Sequence, residues 1–147
     1  MRLRFVIGIL LLVLLRSISS VAASRPLPQT EDFGPEVKSF LDLMRHEEDE
    51  LEFQIKHNEI TRREYTRSKL EITIHRQTVL ELVRATGKDY VPELHVVALS
   101  EIDQLIENGS SVIKNIKRGD TIKDKWRFMG SVHKGETFYI FERLRSN

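Results

Sequence analysis

Cysteine is absent from this chain of 147 residues. That excludes a disulfide framework, a thiolate metal site and a cysteine nucleophile. It also excludes the lipidated cysteine that tethers a bacterial lipoprotein. Net charge is scarce: 23 Lys and Arg stand against 22 Asp and Glu, for a formal +1. A nucleic-acid partner would want more, and none is expected. Catalytic signatures are missing as well. There is no G-x-S-x-G, no glycine-rich phosphate loop and no paired-carboxylate motif with context. His46-Glu47 opens like the zinc-protease helix H-E-x-x-H, but Glu50 stands where the second imidazole belongs. Nothing in the sequence asks for a cofactor.

Long apolar runs are confined to one place. Residues 5–15 (FVIGILLLVLL) follow Met1-Arg2-Leu3-Arg4 and precede the small-residue stretch SISSVAAS at 17–24. Charged, then apolar, then small is the order of a secretory signal peptide. The run is shorter than the ~20 apolar residues a membrane-crossing helix needs, and Arg16 interrupts it. Cleavage is expected after Ala23, with Ala22 and Ser24 as an overlapping option; the alternative is an uncleaved anchor. The protein is thus expected to be exported, periplasmic or secreted, with no membrane span after cleavage. Loss of Arg2, Arg4 and Arg16 takes the net charge to about −2. The distribution is uneven, with residues 31–59 acidic and residues 114–145 basic.

Four segments follow: a signal peptide at 1–23, a linker at 24–34, a helical hairpin at 35–87, and a small α+β unit at 88–147 packed on it. In the linker (SRPLPQTEDFG), prolines and few apolar residues argue against a folded element. Pro35 suits the first turn of a helix. Val37, Phe40, Leu41, Met44, Leu51 and Ile55 recur at helical spacing to about residue 57, with Glu48 interrupting the stripe. Thr61-Arg62-Arg63-Glu64 is a capping box, with Ile60 and Tyr65 at the staple positions. The second helix runs to about Thr86, where Gly87 closes it. Tyr65, Ile72, Val79, Leu82 and Val83 form its main stripe. Leu70 and Ile74 lie opposite, so two of its faces should be covered. The short break predicts an antiparallel pair, bringing Glu50 and Glu52 near Lys69 and Arg67.

After Gly87 the pattern changes. Residues 94–99 (LHVVAL) read as a strand. A short helix opens at 100–103 and ends near Asn108-Gly109; a helical turn over 111–117 and a strand beginning at 120–122 follow. Residues 126–132 and 137–144 form a hairpin with Lys134-Gly135 as its two-residue loop. That register pairs Trp126 with Arg143, Arg127 with Glu142, Phe128 with Phe141, Met129 with Ile140 and Gly130 with Tyr139. Both faces of the hairpin are apolar, so it belongs to a larger sheet or is sandwiched. The fold class is α+β: a long antiparallel α-hairpin, then a small mixed unit with a C-terminal β-hairpin.

The candidate interaction surface comprises Glu50 and Glu52 on the acidic helix and Trp126, Arg127, Tyr139 and Arg143 on the hairpin. Aromatic rings among basic side chains suit an anionic partner outside the cytoplasm, or they are core with a basic rim. An envelope protein or an anionic surface is the expected partner, and Leu43, Phe53 or Leu70 could support self-association. His46, Glu50 and His57 share a helix face, which reads more simply as a solvated polar face than as a metal site. His75 and His95 have no sequence-adjacent nucleophile. Arg118-Gly119-Asp120 is explained by a turn, and Asn108-Gly109-Ser110 is a glycosylation sequon only in a eukaryotic host.

Residues 59–69, containing Glu59-Ile60-Thr61-Arg62-Arg63-Glu64-Tyr65 and Lys69, resemble the turn of the SHOCT helical-hairpin domain, in which such a segment joins two helices. Arg118-Gly119-Asp120-Thr121-Ile122, Trp126-Arg127-Phe128 and Gly135-Glu136-Thr137-Phe138-Tyr139 resemble the tail of small exported bacterial proteins of unknown function. That resemblance implies bacterial export and assigns no activity. The function expected is an exported, non-catalytic binding module of the cell envelope. The alternative is a small extracytoplasmic enzyme whose site assembles only in the fold; a pocket joining His75 or His95 to a carboxylate would favour it.

Overall fold

The computed structural model describes residues 32–145. The expected signal peptide and residues 24–31 of the linker lie outside the described residues. Helix α1 spans Pro35–Lys56 and buries Val37, Phe40, Met44 and Leu51. Its N-cap, Gly34, has no side chain to offer the orphan amides. Asp89 supplies the cap from across the fold: its carboxylate accepts from the Glu36 and Val37 N–H groups, both at 3.0 Å. Glu36 returns the contact by accepting from Val91 N–H at 2.9 Å. A Cβ at 34 would lie 2.1 Å from Asp89 Cγ, so a side chain there would displace this cap. Asp89→Ala is expected to lower the unfolding free energy by about 1 kcal/mol, as loss of an N-cap does. A urea melt measures it; an unchanged midpoint would show that water caps α1 equally well.

Helix α2 spans Arg62–Thr86. The capping box is present: Thr61 Oγ1 accepts from Glu64 N–H at 3.2 Å, and the Glu64 carboxylate accepts from Thr61 N–H at 2.7 Å. Gly87, at φ +66°, closes the helix. Two faces of α2 are covered, as its pattern predicts. Val79 and Val83 pack with Val37, Phe40 and Met44 of α1. Ile74 packs with Ala98, Phe138 and Ile140 of the sheet. Leu70 is half-buried in that second cluster and so does not stand free for self-association. Of Glu50, Glu52, Lys69 and Arg67, expected near one another, Lys69 meets Glu52 at 3.5 Å rather than Glu50. Arg67 instead pairs with Glu101 and Glu136, towards the sheet.

The remaining elements are β1 (Leu94–Ala98), α3 (Ile102–Leu105), α4 (Gly109–Val112), β2 (Thr121–Ile122), β3 (Trp126–Lys134) and β4 (Glu136–Arg143). The helix expected to run from about 100 to 108 is a single turn, and Asn108 at φ +57° separates it from α4. The strands form one antiparallel sheet in the order β1-β4-β3-β2. One face meets α2 through Ala98, Phe138 and Ile140. On the other, Trp126, Phe128 and Phe141 pack with Ile102, Ile106 and Ile122. The fold is therefore a mixture of helices and an antiparallel sheet, with the hairpin sandwiched.

The hairpin register is the expected one for three pairs: Trp126 with Arg143, Arg127 with Glu142 and Phe128 with Phe141. A bulge between Phe128 and Gly130 then shifts it. Gly130 pairs with Ile140 rather than Tyr139, and Met129 has no single partner. Gly135 stands alone at the apex between Lys134 and Glu136, in place of a two-residue loop. Trp126 and Phe128 face the α3 side, and strict alternation would put Val132 there too. The extra residue turns Val132 to the α2 side beside Phe138 and Met129. Gly130 takes φ +138°, which side-chain-bearing residues rarely adopt.

Candidate functional site

A cleft of about 730 Å³ opens between α1, α2 and β1. Each wall follows from local periodicity. On α1, His46, Glu47, Glu50 and Gln54 form a stripe beside the buried one, at the spacing of one helical face. On α2, Ser68, Glu71 and His75 fall at i, i+3 and i+7. From β1 come Leu94, His95 and Val96. Leu51 and Ile72 add apolar wall.

Glu71 is the unusual group in this cleft. Its Oε1 is buried and has no hydrogen-bond partner, whereas buried polar atoms in folded proteins nearly always have one. Burial, reinforced by the nearby Glu101 and Glu136 carboxylates, pushes its carboxyl up to about 7; the Arg67 guanidinium opposes the shift. His75 is held below its ordinary value, first by burial and then by the His95 ring. Its imidazole stands edge-on to Phe40, 5.2 Å between centroids. The His95 ring is edge-on to Trp126 at 4.8 Å, with Nε2 3.5 Å from the Glu93 carboxylate.

Arg67, one turn before Glu71, holds the lower end of α2 to the sheet. Its Nε and Nη2 donate to the two Glu136 oxygens at 3.0 Å each, and Nη1 donates to Glu101 at 3.0 Å. Three carboxylates therefore surround one guanidinium, and Glu71 is the one it does not bond. Protonation is the economical state for that third acid near neutral pH.

The raised value has a stability consequence. The folded chain holds the Glu71 proton above the unfolded value of 4.5, so this group's contribution falls as pH rises from about 4.5 through about 7. Glu71→Gln removes that slope. It should leave stability near pH 4 unchanged and raise it by about 1–2 kcal/mol at pH 8, a figure discounted for partial exposure. Chemical melts at the two pH values test this; equal effects at both would show that Glu71 does not titrate in this range.

The residues expected from the sequence to form one surface are dispersed. Glu50 lies in the cleft wall, where Gln54 Nε2 donates to it at 3.1 Å. Glu52 lies outside the cleft, paired with Lys69. Trp126 is 5% exposed and belongs to the core, so it is not available as a surface residue. Lys125 and Arg143 cover its ring at 5.5 and 5.9 Å. Tyr139 is half-buried against Phe128. Arg127 is exposed and pairs with Glu142 at 3.2 Å. Arg143 is exposed and reaches Glu93 at 3.3 Å. The His46 and His57 rings bond the carbonyls of Asp42 and Phe53, at 2.7 and 2.8 Å. Among the described residues no group of three or more His, Asp or Glu is placed to hold a metal ion.

Sequence reasoning missed Glu71. The signal was its position between Leu70 and Ile72, on a helix whose two faces are both covered: a charge there must be paired, protonated or used. Comparison with family models, curated proteins and solved structures finds no match.

Proposed function

We propose that this protein is an exported, non-catalytic binding module of the cell envelope, and that the cleft between α1, α2 and β1 is its binding site. The observation that carries the site is Glu71 Oε1, a buried acceptor left unsatisfied in a cleft that also holds His46, His75 and His95 and the carboxylates of Glu47 and Glu50. A donor supplied by a partner would satisfy it. In this reading α1 and α2 form a single antiparallel hairpin arm. Glu48 bonds Arg76 at 2.9 Å and Glu52 bonds Lys69 at 3.5 Å, a pairing that descends one helix as it climbs the other. The export signal supplies the location. Carboxylates in the cleft favour an envelope protein presenting a cationic group over an anionic surface.

The test is capture from envelope fractions, with partners identified by mass spectrometry. One partner should be recovered by the exported chain and by Arg127→Glu, and lost with Glu50→Lys and with Glu71→Ala. Retention by both cleft variants would overturn the choice of site.

A second reading, a small extracytoplasmic enzyme, is favoured by the joining of Glu71 to His75 and His95 in one cleft. A carboxyl titrating near neutrality beside imidazoles is equipment for general acid–base catalysis. That reading requires an activity abolished by Glu71→Gln with the fold intact.

A further inference from the structure

We propose that the cleft receives an extended basic segment of a partner polypeptide, which pairs with the free edge of β1 as a fifth strand beneath α1. The inference rests on the cleft being the binding site and adds what occupies it and how.

Backbone parity comes first. Arg143 N–H donates to Glu93 O at 2.8 Å, so Glu93 is in a hydrogen-bonded pair of the β1–β4 ladder. Such pairs alternate along an antiparallel ladder. His95 and Val97 therefore bond β4, while Leu94, Val96 and Ala98 turn their N–H and C=O groups the other way. Ala98 O accepts from Glu101 N–H at 3.0 Å, on that outer side. No hydrogen bond among the described residues uses the outward groups of Leu94 or Val96. Both residues line the cleft. An unpaired edge of this kind is a template for strand addition.

The second observation is the roof. α2 lies over the sheet and shares a core with Ala98, Phe138 and Ile140. α1 packs on α2, with Leu94 at the start of β1 in the same core, and its stripe from His46 to Gln54 lines the cleft opposite β1. On the same stripe one turn earlier, Leu43 is 54% exposed. The space beneath α1 and beside β1 is where the next strand of the sheet would run. β1 has five residues, which gives an edge of about 17 Å.

Charge selects the occupant. Glu47, Glu50 and Glu71 line the cleft, and no Lys or Arg does so among the described residues. A second copy paired through its own β1 would bring a second set of carboxylates into the same space. A strand bearing lysine or arginine at alternate positions brings the complement to Glu47 and Glu50.

The probe is a fluorescein-labelled peptide of about seven residues alternating lysine and valine, long enough for the edge. Anisotropy titrations with the exported protein would compare it with two relatives: one N-methylated at the backbone positions that would pair, and one with glutamate for lysine. Each relative should bind at least about tenfold more weakly, and Glu50→Lys should weaken the parent peptide similarly. Hydrogen exchange should slow at the Leu94 and Val96 amides on binding and stay unchanged at Val97. Equal binding of the N-methylated peptide would overturn strand addition while leaving the cleft as a site for cationic side chains. Failure of the parent peptide to bind while the envelope partner is still lost on Glu71→Ala would also overturn it without touching the site. Edge amides already protected in a dimer of the chain alone would replace the partner by a second copy and overturn it too.

Discussion

Phe141→Ala is expected to cost about 3–5 kcal/mol, more than any other substitution proposed for this protein. Phe141 is fully buried on β4, which lies between β1 and β3. Its ring packs 5.4 Å from Phe128 and joins Trp126, Ile102, Ile106 and Ile122 in the cluster on the α3 side. That side is closed only by two single-turn helices and their loops, which have little regular structure of their own. Truncation removes the ring they close on, so relaxation should loosen the segment over residues 99–125 before the sheet itself. The loss is read from urea melts. Trp126 fluorescence should shift to the red in the folded variant, because its neighbours lose their packing partner. A loss under about 1 kcal/mol would mean that the α3 side is not a core.

Arg67→Ala is expected to cost about 2–3 kcal/mol at pH 8 and about 1 kcal/mol at pH 5. The side chain makes three hydrogen bonds to two carboxylates, and it ties α2 to the β1–α3 turn and to the tip of the β3–β4 hairpin. Without the guanidinium, Glu71, Glu101 and Glu136 face one another with no cation between them. Repulsion grows as Glu71 ionises, so the penalty rises with pH. Glu71 would be pushed higher than about 7, since Arg67 is the group now holding it down. The double variant Arg67→Ala with Glu71→Gln should recover part of the loss at pH 8 and none of it at pH 5. Additive losses at both pH values would show that the groups do not share a field.

What was legible in the sequence was local. The capping box of Thr61 and Glu64 and the closing Gly87 each depend on residues within a turn, and the helices end where they indicate. Helical stripes named the buried residues of α1. The bulge after Phe128 was not legible, because it answers a demand from elsewhere: Val132 must turn to α2 while Trp126 and Phe128 face α3. The α1 cap was hidden for the same reason, since Asp89 is far from Gly34 in sequence. Trp126 could be read as a surface ring or as core with a basic rim, because basic residues flank it. Those cations lie over a ring that is itself in the core. Glu71 carries no motif, and its chemistry arises only when Arg67 is taken by Glu101 and Glu136 and β1 arrives beside it.

The most direct test of the cleft as the binding site is photo-crosslinking in living cells. A benzophenone amino acid would replace Glu47 in the cleft in one variant and Arg127 on the sheet in another. A discrete adduct is expected from position 47, suppressed when Glu71→Ala is added, with none from position 127. An adduct from position 127 with none from position 47 would contradict the assignment.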